Sequence, residues 1–266
     1  MKTAGPRPRS GETLDSFYRG RVRIFQRRKG YRFSVDAPLL AHFIRPRRTD
    51  DLLEIGTGCG IIPLLLSVRS FGRITALEIQ KGLAALARRN IALNGLGDRI
   101  DVVRTDFRLY TPGRTFDLIF SNPPYIARAT GHLSDSAEKS VAKHEVYGDI
   151  RDLMRKTAEW LKPGGRACFV FPERRRADFM QALESSGLRV RAVQPVRPRK
   201  GAPANLFLAE IGHRHRGSKA QGKTRRLPAL VLFGPKGTYT KEAEAIFSGR
   251  RRSGVLMAGK TRRRPV

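Results

Sequence analysis

The sequence is short of cysteine, of acidic side chains and of long apolar runs. Only two cysteines, Cys59 and Cys168, occur in 266 residues, which excludes a disulfide-dense secreted scaffold and a zinc site of clustered thiolates. The longest unbroken apolar run, IIPLLL at Ile61–Leu66, is far shorter than the roughly 20 residues that cross a membrane. The basic N-terminal stretch is not followed by an apolar segment of signal-peptide type. The expectation is a soluble, cytoplasmic protein with no membrane partner. No Ser-His-Asp order and no metal constellation stands out. His213 and His215 lie in an Arg-rich stretch and read as solvated side chains.

The scarcity of acid is uneven. Lys and Arg number 53 against 23 Asp and Glu, a formal net charge of +30. Residues 1–50 carry a net +9, residues 51–170 a net +4 and residues 171–266 a net +17. A nearly balanced centre thus has strongly basic flanks. Such flanks suit a polyphosphate partner, because each neutralised phosphate releases condensed counterions. Arginine-rich composition and plain solubility are the bland alternatives.

What is present is a regular alternation of strand and helix. Apolar runs at 52–55, 73–79, 100–106, 116–121 and 166–171 read as buried strands. Residues 61–68, 81–93, 149–161 and 174–186 have helical length or periodicity, and 188–196 and 205–211 read as two more strands. This pattern implies an α/β fold with a parallel sheet covered on both faces and ligands at the carboxyl ends of its strands. Residues 1–16 read as a flexible N-terminus and 17–50 as a basic arm and lid, with a short strand near 21–25. A central domain follows over 51–212, then a basic insert over 213–226, an ordered extension over 227–247 and a disordered basic tail over 248–266. The polar stretch 122–148 is long for a structureless connection, which marks it as functional.

Glu54-Ile55-Gly56-Thr57-Gly58-Cys59-Gly60 closes the first buried strand and opens a helix. Glycines suit that corner because a ligand must approach the backbone and the turn needs conformations closed to side chains. A dinucleotide site has the spacing G-x-G-x-x-G; here it is G-x-G-x-G, one residue shorter. The carboxylate of Glu54 would repel a pyrophosphate. S-adenosylmethionine, cationic and without phosphate, fits the compact loop better than NAD(P). Glu78 ends the next strand, about 20 residues on, where an acid can accept both ribose hydroxyls. Asp106 ends the third, where a carboxylate can accept from an adenine amine. The cofactor set is therefore Glu54, Gly56, Thr57, Gly58, Gly60, Glu78, Asp106 and Asn122, with Ile79 and Phe107 directly after the two acids.

Asn122-Pro123-Pro124-Tyr125 follows the fourth strand. Consecutive prolines remove two donors and leave stiff, outward carbonyls. The Asn122 side-chain oxygen and the Pro123 carbonyl can accept both hydrogens of a planar NH2 group, which restores lone-pair density on nitrogen. Tyr125 offers a stacking face. Asn122, Pro123 and Tyr125 are the candidate catalytic residues. The alternative is an ordinary proline turn.

With these motifs the chain resembles the class I S-adenosylmethionine-dependent methyltransferases. Among them it is similar to the Asn-Pro-Pro-Tyr N-methyltransferases and to the bacterial tRNA adenine-N6 methyltransferase family that modifies the adenosine beside the anticodon of valine tRNA. Gly30-Tyr31-Arg32-Phe33-Ser34-Val35-Asp36, the LKPGG run at 161–165 and Gly237-Thr238-Tyr239-Thr240 add to the likeness, which covers residues 15–247. The resemblance implies a Rossmann-like, mostly parallel seven-stranded sheet with an antiparallel last hairpin. It also implies S-adenosyl-L-methionine as cofactor, and methyl transfer to the N6 amine of an adenine in structured RNA, with tRNA the expected partner. In such families Phe33, Ser34 and Asp36 lie over the methionine end of the cofactor.

Three rival readings stand beside this one. A glutamine methyltransferase of release factors shares the planar-amide chemistry, but it carries a sizeable helical domain ahead of the glycine loop. A DNA adenine methyltransferase carries a target-recognition domain. An inactive methyltransferase-fold RNA-binding module would not need Glu54, Glu78, Asp106 and Asn122. Arg21, Arg23, Arg27, Arg28 and Lys29 are the N-terminal candidates for RNA contact, and Arg174-Arg175-Arg176 reads as a further phosphate contact. Cys59 reads as a small filler, since methyl transfer of this kind needs no thiolate.

Overall fold

Two successive leucines show how the chain is layered: Leu52 and Leu53 are both fully buried, and they enter two different apolar clusters. Successive side chains of a strand point to opposite faces, so a strand carrying both must be covered on each side. The structure, a computed structural model, describes residues 7–29, 32–123, 149–214 and 223–249. Gly30, Tyr31, Tyr125, His215 and the stretches 1–6, 124–148 and 250–266 lie outside the described residues.

Leu52 and Leu53 belong to β3 (Asp51–Ile55), an interior strand of the main sheet. On one side it pairs in parallel with β4 (Arg73–Glu78), which pairs with β5 (Ile100–Arg104). On the other side lies β6 (Phe116–Ser121), then β7 (Leu161–Pro172), also parallel. β8 (Leu188–Arg199) and β9 (Leu206–His213) form the expected antiparallel hairpin, with β9 inserted between β7 and β8. Helices α1 (Asp36–Phe43), α2 (Ile61–Leu66) and α3 (Lys81–Leu93) supply one apolar cluster, and α4 (Ile150–Trp160) and α5 (Arg176–Ser186) the other. The fold is therefore α/β with a mostly parallel sheet covered on both faces.

The strand count differs from seven. β10 (Arg225–Arg226) and β11 (Leu230–Phe233) both lie in parallel along the outer edge of β8, giving this sheet nine strands among the described residues. β8 is 12 residues long and would otherwise expose a long row of unpaired backbone groups. Leu230 and Leu232 bury themselves against the sheet. Thr240 then locks α6 (Lys241–Phe247) to β11: its hydroxyl donates to the Val231 carbonyl at 2.7 Å, and its amide donates to the Leu232 carbonyl at 2.8 Å.

The N-terminal arm also departs from expectation. Residues 1–16 read as loose, yet β1 (Glu12–Phe17) pairs with β2 (Val22–Arg27) in an antiparallel hairpin. The apolar signal of β1 is weak because its stability comes from elsewhere. Arg89 of α3 holds Glu12 through two contacts of 2.6 and 2.9 Å, and Arg32 holds Asp15 at 2.9 Å. The run at 174–176 is likewise not a free patch, since Arg175 pairs with Asp178 at 2.7 Å. Arg176 pairs with Glu173 and lies 4.2 Å over the Phe207 ring.

Leu53→Ala would open a cavity between β3 and the α4–α5 layer. Its expected cost is about 2–5 kcal/mol, read as a lower urea midpoint with an unchanged slope.

Candidate active site

The strand order turns at β3. The chain first runs outward to β4 and β5, then returns to the other side of β3 with β6. Ligands of open α/β sheets bind outside the carboxyl ends of the strands at such a switch point. Here the switch point holds the glycine turn after β3 and Asn122 after β6.

The turn needs its glycines. Gly56, Gly58 and Gly60 have φ of +79°, +59° and +84°, values that side chains rarely tolerate. Space is open where a Cβ on Gly56 would lie, whereas one on Gly60 would sit 3.4 Å from Ala87 of α3. The first glycine thus leaves room for a ligand and the last lets α3 approach. The Gly56 and Thr57 amides both donate to the Leu77 carbonyl at 2.9 Å, which hangs the turn on the end of β4.

Two buried carboxyl groups lie beneath it. Glu78 is 3% exposed; its Oε2 accepts from the Gly58 amide at 2.8 Å and its Oε1 from the Gln80 amide at 2.9 Å. Burial raises its pKa, and these amide bonds oppose the rise. Glu54 is 1% exposed, and burial lifts its carboxyl from the ordinary 4.5 to about 8. Among the described residues its Oε2 has no hydrogen-bond partner. The neighbouring Thr57 hydroxyl favours the carboxylate, while the charge of Glu78 adds to the effect of burial. An orphaned buried acid beside a second acid favours a cation and disfavours a pyrophosphate. These residues fit the ammonium and ribose ends of S-adenosylmethionine.

Asp106 follows β5 but is already engaged. Arg108 donates to it from its backbone amide at 2.9 Å and from Nε and Nη2 at 2.9 and 2.5 Å. Burial pushes this carboxyl up, yet the bonds from Arg108 leave it below the ordinary range. Ile79 is half-buried at the end of β4. Phe107 packs into the α4–α5 cluster near Tyr110, whose ring meets Trp160 edge-on at 5.7 Å.

On the other strand, Ser121 donates its hydroxyl to the Ile55 carbonyl at 2.6 Å. Glu54 pairs with Phe120, so the same register continued by two residues sets Asn122 beside Gly56. Asn122 and Pro123 are both half-buried. Phe33 packs on Phe17 at 5.2 Å, Ser34 accepts from the Asp36 amide at 3.4 Å, and Asp36 opens α1. Among the described residues none of these three hydrogen-bonds to the glycine turn. The His213 ring Nε2 donates to the Leu161 carbonyl at 2.9 Å. Burial pushes the Cys59 thiol up to about 12, which suits a filler and not a nucleophile.

Asn90 was not singled out from the sequence, and it joins the arm to the glycine turn. Fully buried on α3, it donates to the Cys59 carbonyl at 2.9 Å and to the Phe25 carbonyl at 3.1 Å, and accepts from the Phe25 amide at 2.7 Å. Asn94, one turn on, repeats the pairing with Arg23: it accepts from the amide at 2.9 Å and donates to the carbonyl at 2.6 Å. Four residues of helix rise about 6 Å and two of strand about 6.6 Å, so two side-chain amides can dress the open edge of β2 as another strand would. The available signal was a polar residue inside the apolar stripe of Leu83, Leu86, Ala87 and Ile91.

A glycine turn, an orphaned buried acid, a strand-end acid and the Asn122-Pro123 pair meet at one switch point, the arrangement of a class I methyltransferase with a site for a cationic nucleoside cofactor. The chain belongs to the methyltransferase small domain family, which matches residues 32–194, and it is an S-adenosylmethionine-dependent methyltransferase. It is similar to the tRNA1(Val) (adenine(37)-N6)-methyltransferase of Parabacteroides distasonis, with 29% identity over 179 residues, 66% of this chain and 75% of that one. The enzyme of the same name from Bacteroides fragilis is 30% identical over 177 residues, 65% of this chain and 74% of that one. Among solved structures, a predicted O-methyltransferase of Agrobacterium tumefaciens shares the fold with a TM-score of 0.61 and 22% identity, over 81% of this chain and 96% of that one. The glycopeptide N-methyltransferase MtfA, solved with S-adenosylmethionine, does so at 0.51 and 17%, over 69% and 96%.

Two outcomes follow from the buried groups. Because its folded-state carboxyl titrates near 8, Glu54 contributes stability that is complete below the unfolded value and lost as pH rises through 8. At pH 7 it therefore holds a proton, which a cationic ligand displaces. Calorimetry of S-adenosylmethionine binding in buffers of different ionisation enthalpy should read a release close to one proton, absent in a weaker-binding Glu54→Gln. Asn90→Asp sets a carboxylate against two carbonyls and removes both donations, at a cost of about 1–3 kcal/mol. It should weaken cofactor binding about tenfold, whereas Asn94→Asp, whose side chain reaches Arg23 and the Asn90 carbonyl but not the glycine turn, should spare it.

Proposed function

We propose that the enzyme transfers a methyl group to the exocyclic N6 amine of an adenine in structured RNA, with tRNA as its substrate in the cytoplasm. The observation that carries this reading is the position of Asn122 and Pro123: they leave the end of β6 beside Gly56, where the Ser121 hydroxyl holds the two strand ends together at 2.6 Å. S-adenosylmethionine supplies an electrophilic methyl on a sulfonium. The chain supplies the rest. Glu54 meets the cofactor's ammonium and Glu78 its ribose hydroxyls, with Asp106 and Phe107 beside the adenine once Arg108 yields. Phe33, Ser34 and Asp36 cover the methionine end.

In this proposal the Asn122 side-chain oxygen and the Pro123 carbonyl accept both hydrogens of the target amine. Accepting both bends the nitrogen away from planarity and returns its lone pair for attack. The amine loses its surplus proton readily once the new carbon–nitrogen bond exists, so no strong base is required. Tyr125 stacks on the unstacked base, a contact worth about 1–3 kcal/mol. Reaching an exocyclic amine requires a flipped or single-stranded base, which an RNA loop offers at least cost. The net charge of +30 supports a nucleic acid over a protein side chain, and the relatives named as tRNA methyltransferases support the adenine of a tRNA.

Labelled S-adenosylmethionine, incubated with tRNA and in parallel with release factor, should place the label in N6-methyladenosine, as read by mass spectrometry of nucleosides. Label in a release-factor glutamine overturns the reading. Asn122→Ala should lower transfer roughly a hundredfold to a thousandfold with cofactor affinity little changed. Equal loss of both would remove Asn122 from its role.

A further inference from the structure

The arm sorts its charges, and the sorting leaves one cavity positive. Its two acids are both matched: Glu12 to Arg89 at 2.6 Å and Asp15 to Arg32 at 2.9 Å. Two of the arginines taken for RNA contact are turned to backbone. Arg21 donates to the Gly249 carbonyl at 3.2 Å, and Arg23 to the Leu93 carbonyl at 3.4 Å. Arg9, Arg27, Arg28 and Lys29 instead line a cavity of about 370 Å³ at the open end of the hairpin. Among the described residues their side chains make no ion pair or hydrogen bond. Glu12, the acid on its wall, is already held by Arg89.

Four exposed cations around one concavity repel one another, and an anion seated among them relieves that repulsion. Guanidinium groups match a phosphate as two-pronged donors, and the lysine adds a point charge. The position is also informative. The Arg27 guanidinium reaches over Gly82 in the first turn of α3, where a Cβ would lie 2.5 Å from its Nη2. That turn begins three residues after Glu78, so Arg27 joins the cavity wall to the start of the helix that follows this acid. It lies on the arm that Asn90 ties to the glycine turn.

We propose that this cavity binds a backbone phosphate of the RNA strand that flanks the methylated nucleotide. The inference rests on the reading of RNA as substrate and adds the place where its backbone is gripped. A phosphate seated there would fix the strand beside the cofactor while the target base turns toward Asn122.

The test is a salt titration of tRNA binding by fluorescence anisotropy, with Arg28→Gln/Lys29→Gln compared with Arg48→Gln/Arg73→Gln. The second pair removes the same charge from the opposite, amino-terminal ends of β3 and β4. Each phosphate contact contributes about 0.7 to the slope of log affinity against log salt for a single strand. The cavity variant should flatten that slope by about 0.7–1.4, with S-adenosylmethionine affinity unchanged by calorimetry, and the control pair should keep the parental slope. A parental slope in the cavity variant, or equal flattening in both pairs, overturns the inference and leaves the RNA reading standing. If the unaltered protein binds no RNA and methylates none, both fail together.

Discussion

The parallel pairing of β3 with β6 is the constraint on which the rest depends. It brings together two turns 66 residues apart in sequence, and one hydroxyl, Ser121 on the Ile55 carbonyl, closes the join at its end. A side-chain bond in a buried place is strong in its consequences because leaving either partner unsatisfied is costly. It sets the acceptor groups of Asn122 and Pro123 at a defined height against the glycine turn. The glycine turn and the Asn122-Pro123 segment can share one site only because of that register.

The cofactor side of the site is held in an unfavourable state. Glu54 is buried with a free oxygen, and Glu78 beside it is tied by two backbone amides. Burial, with the charge of Glu78 beside it, raises the proton affinity of Glu54, so protonation stabilises this arrangement and a cation would take the proton's place. This inverts the logic of a dinucleotide turn, where the helix start and its amides receive a phosphate. The same fold corner can serve opposite charges, and here Glu54, two residues ahead of the first glycine, sets a buried acid beneath it.

The arm is part of this machinery and not an appendage. Through Asn90 a single side-chain amide satisfies both the edge of β2 at Phe25 and the Cys59 carbonyl inside the turn. Movement of the hairpin therefore cannot leave the glycine turn undisturbed. The arm also carries acids that are matched and cations that are not, which separates structural arginines from those open to a partner. Composition alone treats all of them alike.

The sequence by itself determined the order of most strands and helices, the glycine corner, the acids at the strand ends and the place of Asn122-Pro123 after β6. These are local properties: apolar periodicity over a few residues, backbone angles only glycine accepts, and donors that proline lacks. The tertiary structure alone decided what depends on distant partners. β1 exists because α3 reaches across 77 residues from Arg89 to Glu12, and β10 and β11 exist because β8 offers a long uncovered edge. Asp106 is paired with Arg108, and Arg175 and Arg176 are tied to neighbouring acids, Arg176 also to an aromatic ring. A charged or amide side chain carries no mark in its own neighbourhood of the partner it will meet, so its role appears only when the chain has folded.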